Sequence, residues 1–225
     1  MTRKVVTRSP HRRVGIISCP WLQSTPVEYE SLLERDFVRL ALLSPGLVAI
    51  YSQPFTIDLG EAGTYTPDFL LSYSKSVRLV VEVKPDIYSR SEKNSALFAA
   101  AAQKLNESGF DFSVATDTRI RRRDRHGSGA VLLRYARSHF DPAEIQRALA
   151  YVHINPEGIS VEEICAKAQV RKELILHLIG QRKLSLNRNL EFSSKQIVKL
   201  NSKGDGHDNL HPAAWLGCTN WSASF

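Results

Sequence analysis

The chain has 225 residues, 43% of them hydrophobic, which supplies a core for one ordinary domain and a smaller second one and excludes wholesale disorder. No apolar run approaches the ~18–20 residues that span a bilayer, and the basic N-terminus has no apolar signal core behind it, so a cytoplasmic protein with no membrane partner is expected. The net charge of +7 fits a nucleic-acid partner. The three widely separated cysteines, Cys19, Cys165 and Cys218, support neither a disulfide framework nor a zinc site.

Residues 1–24 read as a basic arm carrying Arg3, Lys4, Arg8, Arg12 and Arg13. Thr25-Pro26-Val27-Glu28 has the form of a capping box with proline at the first helical position. Tyr29, Leu32, Leu33, Phe37 and Leu40 keep helical spacing after it, which predicts a helix over 25–44. Residues 47–59 predict a bent strand or strand pair broken at Gln53-Pro54. Residues 65–73 predict a strand entered through Thr66-Pro67, with a turn over 74–76. The segment VRLVVEVK over 77–84 is β-branched and apolar in its middle, as a buried central strand would be, and Pro85 stops it. A helix over 91–107 ends at Gly109, and a strand follows over 110–115. The strand–helix–strand passage implies a right-handed crossover in a mixed sheet, so residues 25–138 are expected to form an α/β domain with helices flanking that sheet. Arg119, Arg121, Arg122, Arg123 and Arg125 crowd its last part. With Arg12 and Arg13 they are candidate contacts to DNA phosphates; the plain alternative is two solvated loops.

Residues 139–200 differ in character. A helix over 141–152 starts at Asp141-Pro142. Ser160-Val161-Glu162-Glu163 is a second capping box opening a short helix to Ala168, and a helix over 171–179 closes at Gly180. Alternation over 184–192 predicts a small hairpin about Asn187-Arg188-Asn189. Helix, helix, helix and wing is the outline of a winged helix-turn-helix, with the helix over 171–179 as recognition element toward DNA or protein. Residues 201–225 read as a flexible tail with Trp215 and Trp221 stranded in it. His207 and His211 have H-x-x-x-H spacing, but Gly206 and Pro212 argue against the helix that a metal pair would need.

The segment richest in chemistry is Pro67-Asp68 followed by Glu82-Val83-Lys84. Side chains alternate faces along a strand, so Glu82 and Lys84 point the same way out of an apolar strand, where an unpaired charge costs several kcal/mol. By themselves they read better as a strand end emerging into solvent with a plain Glu–Lys pair. Asp68 alters this. Six residues separate it from Ser74, and six separate Ser76 from Glu82, so a hairpin about that turn brings Asp68 beside Glu82. Two carboxylates with a main-chain carbonyl, that of Val83, make an oxygen site for Mg²⁺ or Mn²⁺. Lys84 beside them can orient or help deprotonate a water and stabilise charge on a phosphate. Glu30 and Glu34 lie one helical turn apart, and Glu34, next to the apolar stripe, is the better placed to supply a third acid. Asp36 and Asp86 read as surface charges.

Glu34, Gln53-Pro54, Pro67-Asp68 and Glu82-Val83-Lys84, in this order, resemble the restriction-endonuclease-like PD-(D/E)XK nucleases. More narrowly, Tyr29 to Phe37, Gln53-Pro54, Tyr65-Thr66-Pro67-Asp68-Phe69 and Val81-Glu82-Val83-Lys84-Pro85 resemble TnsA, the endonuclease subunit of heteromeric transposases, over roughly residues 25–115. The resemblance implies that Glu34, Asp68 and Glu82 ligate or position metal, that Lys84 assists catalysis and that Gln53 supports the site; a simple hairpin contact is the plain reading of Gln53. It also implies a bacterial protein at the nucleoid. Its task would be to nick the 5′ ends of a transposon while a TnsB-type integrase cuts the 3′ ends, with the C-terminal module docked on a TnsC-type AAA+ ATPase or on DNA. A stand-alone restriction or repair nuclease of the same fold and a DNA-binding regulator with an inactive nuclease fold are the rival expectations.

Overall fold

The computed structural model describes residues 13–201 and 211–221. The chain divides into two compact units, residues 1–122 with 210–225, and residues 123–209.

The first unit begins with β1 (Gly15–Ile17), which pairs antiparallel with β2 (Val27–Tyr29). The helix expected from Thr25 therefore starts later, as α1 (Leu32–Ala41), with Ser31 as N-cap accepting the Glu34 N–H. Two neighbouring stretches, 25–28 and 31–34, offer cap chemistry. The first lies in a segment already taken by strand pairing, and the second forms the helix. Next come β3 (Leu47–Ser52), the short pair β4 (Ile57–Asp58) and β5 (Thr64–Tyr65), β6 (Phe69–Tyr73) and β7 (Arg78–Lys84). The single turn α2 (Asp86–Ser89) leads to α3 (Glu92–Glu107), which Ser91 caps by accepting the Asn94 N–H. Then follow β8 (Asp111–Thr116) and α4 (Asp117–Ile120). The sheet order is β3-β6-β7-β8. β6 pairs antiparallel with both β3 and β7, and β7 and β8, joined through α3, are parallel. This is the expected mixed sheet flanked by helices. β7 is central, and Leu79 to Val83 are all buried, which explains its β-branched composition. One layer of core lies between the sheet and α3, where Val80, Phe98, Ala101, Ala102, Leu105, Phe112 and Val114 cluster with Tyr65. Phe37 of α1 meets Phe69 of β6 with ring centroids 5.5 Å apart.

The second unit holds α5 (Arg125–Tyr135), α6 (Pro142–His153), β9 (Ile159–Ser160), α7 (Val161–Ala168), α8 (Lys172–Gly180), β10 (Leu184–Ser185) and β11 (Ile197–Leu200). The division falls at 122/123 rather than 138/139, because α5 packs on α8. Gly180 is part of this contact. It is the last helical residue of α8 rather than a left-handed cap, and a Cβ there would stand 2.3 Å from the Leu132 carbonyl oxygen. The Ser160 capping box is present in full. The hairpin expected over 184–192 instead pairs β10 with β11 across a longer loop, in a three-stranded sheet ordered β10-β11-β9.

The expected flexible tail is likewise corrected over residues 211–221, while 202–210 and 222–225 lie outside the described residues. In α9 (Pro212–Leu216) Ala213, Trp215 and Leu216 are buried, and β12 (Thr219–Asn220) pairs antiparallel with β8, making the first unit's sheet five-stranded. Trp221 stacks edge-on against Phe98 at 5.5 Å, so its indole covers the core. Cys19 and Cys218 are buried and Cys165 half-buried, all as free thiols. Among the described residues no helix is long and apolar enough to cross a membrane.

Candidate active site

Asp68 stands immediately before β6, and the register Phe69↔Val81 and Leu71↔Leu79 carries it opposite Glu82 of β7. Its Oδ2 accepts the Val83 backbone N–H at 2.7 Å. Its own carbonyl accepts the Gln53 N–H at 2.8 Å, which ties the β3 exit to the start of β6. Gln53 has φ of 42°, a left-handed conformation uncommon for a residue with a side chain, and rarer still before proline. Such backbone is sustained only where neighbours hold it, and it concentrates at functional positions.

Glu82 is 5% exposed inside the central strand. Both its oxygens are held: Oε2 accepts the Tyr65 hydroxyl at 2.7 Å, and Oε1 accepts Lys84 Nζ at 2.9 Å. Lys84 is the last residue of β7, with its side chain 36% exposed. Glu34 sits in the first turn of α1, and its Oε2 accepts the Glu30 N–H at 2.7 Å. Of the two acids expected on this helix, Glu30 lies ahead of the Ser31 N-cap and outside α1, and only Glu34 is on it.

The titration behaviour marks these side chains as one electrostatic cluster. Burial, then the charges of Glu82 and Glu34, raise the Asp68 carboxyl well above its ordinary value, against the Val83 N–H and Lys84, which lower it. Burial raises Glu34, opposed by its bonds to the Glu30 backbone and Ser31 and reinforced by the charges of Glu30 and Glu82. For Lys84 burial acts downward, but the charge and hydrogen bond of Glu82, with Asp68 and Glu34, outweigh it and hold the ammonium above its ordinary value. Burial and Glu82 push the Tyr65 phenol far up, so it stays a donor. Three carboxylates therefore face one ammonium, an arrangement that burial penalises unless further positive charge arrives. As the side chains stand, no group of three or more His, Cys, Asp or Glu among the described residues could hold a metal ion.

Tyr65 was not foreseen as a site residue. Its phenol reaches Glu82 only because β5 folds over the sheet, a pairing that no local pattern announces. The arginines fare variously. Arg119 and Arg122 are exposed, and Arg121 is exposed yet bonded to Asp36. In the second unit Arg123 is exposed and pairs with Glu191 at 3.6 Å. Arg125, expected on a DNA-facing surface, is 6% exposed within α5 and is withdrawn from that surface. Arg13 is exposed, while Arg12 and His207 lie outside the described residues. Asp36 is not a surface charge but 1% exposed, whereas Asp86 is half-buried and pairs with Arg90.

A mixed sheet with an aspartate heading one strand and Glu-x-Lys ending its neighbour is the layout of the restriction-endonuclease-like class. Residues 44–117, from just before β3 to just past β8, match the family model described as TnsA-like endonuclease N terminal. That segment, which carries Gln53, Asp68, Glu82 and Lys84, is similar to the N-terminal domain of TnsA-like endonucleases. No curated protein matches the chain.

Proposed function

We propose that the chain is the endonuclease subunit of a heteromeric transposase, which nicks the 5′ ends of the transposon by metal-dependent hydrolysis during cut-and-paste movement. The observation that carries this reading is the convergence of Asp68, Glu82, Lys84 and Glu34 within a segment of TnsA-like type. Asp68, Glu82 and the Val83 carbonyl would hold Mg²⁺ or Mn²⁺, with Glu34 contributing from α1. The donor set fits a hard divalent cation: all oxygen, with a carboxylate excess that the single ammonium leaves uncompensated. Bound there, the cation would supply Lewis-acid polarisation of the phosphodiester and a more acidic water.

The chain's own groups set the rest. Lys84, held protonated by Glu82, serves as a fixed positive charge for the phosphate oxygens in the transition state rather than as a base. Tyr65 fixes the rotamer of Glu82, and the Val83 N–H fixes that of Asp68. Gln53, through its main chain, anchors Asp68 to the strand behind it. The second unit, with its helices and small sheet, would be a winged-helix-like module docking on a TnsC-type AAA+ ATPase or on DNA, and the 3′ ends would fall to a TnsB-type integrase.

The test is Mg²⁺-dependent nicking of a duplex carrying transposon ends, with and without a TnsB-type integrase and a TnsC-type ATPase. Asp68→Ala is expected to abolish nicking while leaving DNA binding and the melting transition in place. Undiminished nicking by that variant overturns the site. Full activity of the wild-type chain with no partners would favour the stand-alone nuclease, and no metal binding at all would favour the regulator.

A further inference from the structure

Asp36 occupies an unusual position. It is 1% exposed, yet it receives three guanidinium groups: Arg35 at 2.9 Å, Arg121 at 3.1 Å and Arg39 at 3.5 Å. Arg35 grips Oδ1 through Nε and Nη2, and Arg121 grips Oδ2 through the same two nitrogens. One guanidinium is enough to neutralise a buried carboxylate. Arg35 and Arg121 together already exceed that need, and like charges so close repel unless an anion joins them. The arginine side chains are 29%, 46% and 27% exposed for Arg35, Arg121 and Arg39, so the surplus reaches solvent. A guanidinium carries five N–H donors in a rigid fork. With two of its nitrogens engaged on Asp36, each of Arg35 and Arg121 keeps donors on the remaining edge.

Two elements build this cluster. Arg35, Asp36 and Arg39 lie on α1, and Arg121 follows α4, which packs on α1. Arg35 is next in sequence to Glu34, whose carboxylate belongs to the candidate active site. We infer that Arg35 and Arg121, with Arg39, form a phosphate clamp that grips the DNA backbone beside the cleaved bond, and that Asp36 is the buried support aligning their forks. A backbone phosphodiester carries two unbridged oxygens at the spacing of a guanidinium fork, and neutralising it releases counterions. The clamp rests on the reading of DNA as substrate.

The experiment measures binding of a short labelled duplex to the full chain by fluorescence anisotropy, in chelator so that no strand is cut, across a salt series. Arg35→Gln alone leaves Asp36 paired with Arg121 and Arg39, so the fold is kept. Its plot of log Kd against log salt should lose roughly one unit of slope, and Arg35→Gln/Arg121→Gln roughly two, with affinity falling about tenfold or more at moderate salt. Arg78→Gln/Lys104→Gln removes the same net charge from exposed positions away from the site and should change the slope far less. Thermal melting of each protein accompanies the series. Unchanged slope in the folded Arg35→Gln variant overturns the clamp, as does an equal loss in the Arg78/Lys104 pair. If the wild-type chain binds no duplex at low salt, the reading of DNA as substrate fails with it. Wild-type binding combined with unchanged Arg35 and Arg121 variants removes the clamp alone.

Discussion

Tyr65→Phe deletes one oxygen atom, the one that donates to Glu82. The ring stays in the α3-side core, edge-on to Phe112 at 6.3 Å, so packing is preserved. What is lost is a 2.7 Å hydrogen bond to a carboxylate that is 5% exposed. Hydrogen bonds to charged groups contribute roughly 1.5–3 kcal/mol, and the orphaned oxygen cannot turn to water without leaving the site. For a chain of this size that corresponds to a fall in Tm of about 3–12 °C. The functional effect has a different signature. A carboxylate freed on one side samples more orientations, and partners that orient metal-holding groups typically matter by about 10–100-fold in metal affinity or activity. Initial nicking rates across a Mg²⁺ titration should therefore show half-saturation moving to higher Mg²⁺, with most of the rate recovered at saturation. Tyr73→Phe is the control, since it deletes a buried hydroxyl that bonds Ser44 at 3.1 Å. It should lower Tm without moving the Mg²⁺ dependence. A Tyr65→Phe protein with the wild-type Mg²⁺ curve would falsify the assignment of Tyr65 as the residue that positions Glu82.

Other consequences follow from single contacts. Asp68 holds its proton in the fold to a higher pH than in the unfolded chain, which releases it near pH ~4. Between those values the unfolded state binds fewer protons, so metal-free wild type loses stability as pH rises through that window. Asp68→Asn keeps an acceptor for the Val83 N–H but removes the titration, so its Tm should gain on wild type from about pH 4 upward, while nicking is lost. A gap that shrinks with rising pH refutes the argument. Gly180→Ala places a methyl 2.3 Å from the Leu132 carbonyl, backbone that cannot step aside, and should destabilise the second unit by roughly 1–3 kcal/mol or more in urea unfolding. Ser160→Ala breaks the capping box of α7 and should cost about 0.5–2 kcal/mol in the same assay.

The pairing that brings Asp68 to Glu82 was more legible than the fold around it, and the reason is physical. Strand side chains alternate with period two and the 74–76 turn is tight, so counting outward from it places Asp68 opposite Glu82, as the register Phe69↔Val81 bears out. What failed depends on partners distant in sequence. Val27–Tyr29 carries cap chemistry, but Gly15–Ile17 claims it as a strand. The helix α5 contains Gly127 and Gly129 and shows no amphipathic stripe, so its helicity rests on packing against α8, which no local window reports. Trp215 and Trp221 looked stranded because the strand they serve, β8, lies some hundred residues earlier, and the pairing of Thr219 with Val114 is what brings them to the core.

The same distinction bears on Lys84. Lysine beside two acids suggested two roles on sequence grounds, helping to deprotonate a water or stabilising charge, and the residue pattern favoured neither. Its surroundings do separate them. A base must first be neutral, and burial alone would push Lys84 that way. Here three carboxylates outweigh burial, with Glu82 bonded directly to the ammonium at 2.9 Å, so the proton is held more tightly than in free lysine. In the proposed reaction, an ammonium held charged beside this acidic cluster would lower the cost of bringing a phosphodiester close to the carboxylates. In its absence the anionic substrate and the anionic site would repel each other.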